Sequence, residues 1–103
     1  MKGFRLRRRF TLGEIKAGLR PLMNDYGVGE AHLEGPGKLD DDSMRPEWVR
    51  LFYFPAPGVD DFDLDGFEDA VRKAFRGQVH SMLPSRSNSA LERVRRENVT
   101  PFD

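Results

Sequence analysis

Hydrophobic positions along the chain follow two periods, two residues and between three and four. In "GFRLRRRF" (3–10), Phe4, Leu6 and Phe10 alternate with Arg5, Arg7 and Arg9, which predicts a strand with one basic face. Thr11 and Glu14 then have the spacing of a capping box, with Phe10 and Ile15 placed as a hydrophobic staple. Ile15, Leu19, Leu22, Met23 and Tyr26 fall on one helical face, and Gly27 is a natural stop. Pro21 lies inside this pattern and predicts a kink or a restart near residues 17–21.

"VGEAHLE" (28–34) alternates again, as a weaker second strand that leaves His32 exposed. "GPGKLDDDSMRP" (35–46) is rich in turn residues. "EWVRLFYF" (47–54) is the strongest strand. Val49, Leu51 and Tyr53 share one face, and Trp48, Arg50, Phe52 and Phe54 share the other. Two apolar faces predict a central strand. A second helix is expected over about 63–76, where Phe67, Ala70, Val71, Ala74 and Phe75 recur at helical spacing, with Gly77 as its stop. "QVHSML" (78–83) reads as a last strand, with a continued helix as its rival. Beyond Pro84 the chain is polar, and Ser89 with Glu92 marks a short helix near 90–98 that would fray unless docked.

The order strand, helix, strand, strand, helix, strand is that of a ferredoxin-like βαββαβ two-layer α+β sandwich. In that architecture the first and third strands lie side by side in the centre. Residues 1–83 would form the single domain, and 84–103 a polar, basic extension with a short helix.

Composition adjusts this picture in two ways. Apolar residues make up 38% of the chain and charged ones 33%, yet eleven aromatics support a packed core. The zero net charge conceals segregation. Residues 1–25 carry seven Lys/Arg and two acids, 26–69 carry three and twelve, and 70–103 carry seven and three. A dipolar surface with a basic patch is one consequence, and opposite charges meeting within the fold is the other. No cysteine is present, so disulfides and thiolate chemistry are excluded. The longest purely apolar run is "LFYF" (51–54), too short for a membrane span, and no apolar run follows the basic start as in a secretory signal. A soluble, cytoplasmic protein is expected.

Candidate chemistry is sparse. Asp61, Asp63, Asp65 and Gly66 match the opening of a calcium loop, D-x-D-x-D-G. Arg72 occupies the position where calcium needs its bidentate glutamate, and "PAPGV" cannot supply the incoming helix. The same acids serve as a helix start: Asp65 with Glu68 forms a capping box, or Asp63 caps with Phe62 and Phe67 as staple. Asp40, Asp41 and Asp42 read as a solvated loop. His32 and His80 fall on opposite sheet edges in the ferredoxin-like order, so no shared metal or acid–base pair is expected. No nucleophile elbow, phosphate loop or zinc-protease motif occurs. No cofactor, enzyme activity or small-molecule substrate is indicated.

The expected contact surface is the open sheet face, with Arg5, Arg7 and Arg9 beside Trp48, Arg50, Phe52 and Phe54, extended by Arg93, Arg95 and Arg96 of the tail. Such a face suits a protein partner or a homo-oligomer. Single-stranded nucleic acid is the alternative, although the aromatic signature of RNA-recognition motifs is missing.

Overall fold

Thr11 starts the first helix as the sequence predicts. Its hydroxyl accepts from the Glu14 backbone N–H at 3.0 Å, and the Glu14 carboxylate accepts from the Thr11 N–H at 2.7 Å. The computed structural model describes residues 8–83 and 99–102. Along the chain it forms α1 (Leu12–Tyr26), β1 (Val28–Glu34), β2 (Val49–Pro55), α2 (Leu64–Ala74), β3 (Val79–Met82) and β4 (Val99–Phe102). The chain is a small α+β domain: two helices pack on a mixed sheet of β1, β2 and β3, and β4 pairs along the outer side of β1.

α1 runs through Pro21 as one helix of 15 residues, so the expected restart does not occur. Gly27, at φ 81°, closes it and returns its N–H to the Met23 carbonyl. Two of the free N–H groups at its start are satisfied by the long connection between β1 and β2. Leu12 N–H donates to the Met44 carbonyl at 2.8 Å and Gly13 N–H to the Asp42 carbonyl at 2.9 Å. Lys16 reaches the Asp42 carboxylate at 3.0 Å, and the Asp41 carboxylate accepts from both the backbone and the hydroxyl of Ser43. The acidic run therefore builds a loop that clamps α1.

β2 is central, as its two apolar faces predict. It is antiparallel to β1 and parallel to β3, with α2 making the crossover. Between Val28 and Glu30 the β1–β2 register slips by a bulge. The slip turns Val28 and Ala31 to the same buried side. A Cβ on Gly29 would lie 2.8 Å from the Ala56 Cα, so the bulge depends on glycine there.

The ferredoxin-like order is not confirmed. It requires residues 3–10 to pair with β2 in the middle of the sheet, but β1 and β3 take the two sides of β2. Residues 3–7 lie outside the described residues, and Arg8–Phe10 are not strand. Their backbone partner is a side chain: Gln78 Oε1 accepts from the Phe10 N–H at 2.8 Å. The helix expected near 90–98 also lies outside the described residues. β4 was not expected; it is antiparallel to β1, and Pro101 is compatible with this edge position.

The core lies between helices and sheet. Leu12, Ile15 and Leu19 of α1 meet Phe67 and Val71 of α2 and its C-cap Phe75 over Ala31, Leu33, Val49, Leu51, Tyr53 and Val79. Tyr53 and Phe67 rings meet edge-on at 4.9 Å. Gly18 allows the helices to approach, since a Cβ there would fall 2.9 Å from the Phe75 ring. Among the described residues no helix is long and apolar enough to cross a membrane.

Candidate functional site

Alternation along β2 sends Arg50, Phe52 and Phe54 to the sheet face away from the helices, and Trp48 joins them by placing its ring 5.5 Å from the Arg50 guanidinium. Register adds residues from neighbouring strands. His32 lies opposite Phe52 and Glu34 opposite Arg50 on β1, while His80 and Met82 lie opposite Arg50 and Phe52 on β3. The outer face is thus a band of Trp48, Arg50, Phe52, Phe54, His32 and Met82.

This face is less open than the sequence suggests. Phe52 is only 3% exposed and His32 only 8%. His32 is a correction, because an exposed strand residue was expected. Its Nε2 lies 2.7 Å from the Glu30 carboxylate, and its ring meets Phe54 edge-on at 6.4 Å. Arg50 donates to Glu34 at 2.9 Å. Two exposed apolar side chains lie at the β3 side, Met82 at 45% and Leu83 at 39%. Sequence reasoning missed these two because "QVHSML" alternates too weakly to assign a face.

Of the expected arginines, Arg50 lies on this band. Arg9 is exposed in the segment before α1, and its carbonyl accepts from Arg45 at 2.6 Å. Arg5, Arg7, Arg93, Arg95 and Arg96 lie outside the described residues.

Arg9 lines a different feature. A surface depression of about 390 Å³ is bounded by Arg8, Arg9, Phe10, Glu47, Phe75, Arg76, Gly77 and Gln78. Gln78 organises it. Besides accepting from the Phe10 N–H, its amide donates to the carbonyls of Phe10 at 3.0 Å and Pro46 at 2.9 Å. Phe10 packs edge-on against Phe75 at 5.4 Å, and Arg76 lies over the Phe10 ring at 5.3 Å. Arg8 and Arg45 act on Glu14 nearby. That carboxyl is held below its usual value first by the Thr11 backbone N–H, with the two guanidinium groups adding to the effect.

A second depression, about 300 Å³, lies between α2 and β3 and is lined by Asp65, Glu68, Asp69, Arg72, Val79, His80 and Ser81. It brings a serine, a histidine and carboxylates together. His80 and Ser81 are consecutive in a strand, however, and point to opposite faces, so they do not form a nucleophile–base pair. Asp69 is engaged by Arg72 and Lys73, and Glu68 accepts from the Tyr53 hydroxyl at 2.6 Å.

The calcium-like stretch is the start of α2. Asp63 is the N-cap, its carboxylate accepting from the Gly66 N–H at 3.0 Å. The Phe62 and Phe67 rings, 6.0 Å apart, form the staple around it. Asp61 and Asp65 are exposed on either side. Among the described residues no three carboxylate or imidazole groups are placed to hold one metal ion. Compared with known proteins, the chain matches no family model, no curated protein and no solved structure.

Proposed function

We propose that this chain is a non-enzymatic protein-binding module that self-associates through the free edge of β3 and the adjoining outer band of the sheet. The observation that carries this reading is the exposure of Met82 and Leu83 at the end of an edge strand. Among the described residues β3 is hydrogen-bonded to β2 on one side only. Its sequence, Val79–Met82, contains neither the lysine nor the proline that commonly protects such edges. A second copy, or a strand of a larger complex, could continue the sheet there and cover Met82 along with the half-buried Trp48 and Phe54.

Single-stranded nucleic acid is less well supported on the same band. A stacking platform needs an accessible ring, but Phe52 is covered, and Arg50 and His32 face acidic neighbours. The cytoplasm remains the proposed location, in keeping with a chain that lacks cysteine.

Light scattering on the full chain over a range of concentrations tests the proposal. A dimer or larger species is expected, with Met82→Lys shifting it toward monomer without loss of the folded spectrum. A chain that stays monomeric at high concentration would count against self-association. A gel shift with single-stranded RNA that weakens steeply with salt would favour the nucleic-acid reading instead.

A further inference from the structure

The depression beside Phe10 has features that core packing does not require. Arg76 adopts φ 52°, the left-handed region, which the following Gly77 also occupies at φ 83°. α2 ends at Ala74 with Phe75 as its C-cap, and the Gly77 N–H donates to the Arg72 carbonyl at 3.0 Å. Arg76 therefore occupies the position of this helix ending that glycine normally fills. A charged residue with a Cβ is held in a backbone conformation that disfavours any L side chain, and its guanidinium is laid over Phe10. Arg8 and Arg9 line the same hollow. No ion pair joins Arg8, Arg9 or Arg76 to a carboxylate among the described residues.

We propose that this hollow binds a phosphate group, free or carried by a small molecule, through Arg8, Arg9 and Arg76. Guanidinium groups offer paired N–H donors that match the oxygens of phosphate. Among the residues that line the hollow, three of them against the carboxylate of Glu47 leave two positive charges, the complement of a phosphate dianion, and the nearby Glu14 is balanced by Arg45. The volume of about 390 Å³ lies in the range of small-ligand clefts, roughly 300–1,000 Å³. Gln78 gives the site a fixed frame, because it ties the backbone of Phe10 to the turn that carries Arg76. The site does not depend on self-association through β3.

The test is titration of inorganic phosphate into the full chain at constant ionic strength, followed by Trp48 fluorescence and by the thermal midpoint. A saturable response that chloride does not reproduce is expected. Arg9→Gln and Arg76→Gly should each weaken it about tenfold or more, as loss of a charge-assisted hydrogen bond implies. Glu47→Gln should tighten it, because a repelling carboxylate is removed. Arg76→Gly also relieves the left-handed backbone, so its thermal midpoint should hold or rise while binding falls, which separates lost binding from lost folding. Glycerol phosphate binding more tightly than inorganic phosphate would identify a small phosphomonoester as the ligand, and equal binding would identify the anion itself. Absence of a saturable response overturns the proposal. So does unchanged binding by Arg76→Gly, or a response to an oligonucleotide but not to phosphate.

Discussion

Gln78 holds Phe10 by both ends of its amide: Oε1 accepts from the Phe10 N–H at 2.8 Å, and Nε2 donates to the Phe10 carbonyl at 3.0 Å. Residues 68 positions apart are thus joined as if by a rung of sheet, with a side chain in place of a strand. This contact fixes the entry to α1 against the start of β3, and so sets the shape of the basic hollow. Gln78→Ala should cost about 1.5–3 kcal/mol, because partly buried backbone groups of Phe10 and Pro46 lose their partners. Urea unfolding measures the cost, and amide exchange at Phe10 should accelerate in the folded state. A loss below about 0.5 kcal/mol would mean that water replaces the amide without penalty.

At α2 the cap can be separated from any calcium loop by comparing aspartates. Asp63→Ala should destabilise the protein by about 1 kcal/mol, as loss of an N-cap does. Asp61→Ala removes an exposed residue with no role in the cap and should change stability by less than about 0.5 kcal/mol. Thermal unfolding of the two variants, with and without calcium, makes the comparison. Equal losses for both, appearing only with calcium, would restore the metal reading.

The end of the same helix gives a prediction of opposite sign. Arg76→Gly should stabilise by about 1 kcal/mol, since an L side chain at φ 52° is replaced by the residue that tolerates it. Loss of the contact with the Phe10 ring offsets part of this, roughly 0.5 kcal/mol for an exposed cation–π pair. Denaturant midpoints measure the balance. A clear destabilisation would show that the contact with Phe10 outweighs the backbone conformation.

Both helices and three strands were legible because their signals are local. Thr11 and Glu14, or Phe67, Val71 and Phe75, announce their roles within one or two turns. The topology depended on competition between distant segments. "GFRLRRRF" has strand periodicity, but periodicity does not reveal whether a place beside β2 is free, and β3 occupies it. The outer face was read correctly as to which β2 residues share it, since alternation alone decides that. Its coverage was not, because burial of Phe52 and His32 depends on packing that no local pattern encodes. The arginine hollow was invisible for the same reason. It joins residues 8–10 to 75–78 through an amide side chain, and Gly77 reads as the helix stop in the sequence, whereas Arg76 takes the first left-handed position after the helix.

Tyr53 is fully buried, and its hydroxyl donates to the Glu68 carboxylate at 2.6 Å. Burial, then the hydrogen bond to Glu68, then the charges of Glu68 and Asp65 all disfavour the phenolate and raise its pKa well above the ordinary value of 10.0. A raised pKa in the folded state means that the unfolded chain releases this proton first. The stabilisation is therefore complete below about pH 10 and is lost as pH rises above it. In that range the wild-type protein should lose about 1.4 kcal/mol per pH unit from this group. Tyr53→Phe removes the titration. It should cost about 1 kcal/mol near neutrality, where the half-exposed Glu68 can turn to water, and the deficit should shrink and then reverse as pH rises beyond 10. Urea unfolding of both proteins at pH 8, 10 and 11 reads the crossing. Parallel curves at all three values would mean that Tyr53 ionises as readily in the fold as out of it.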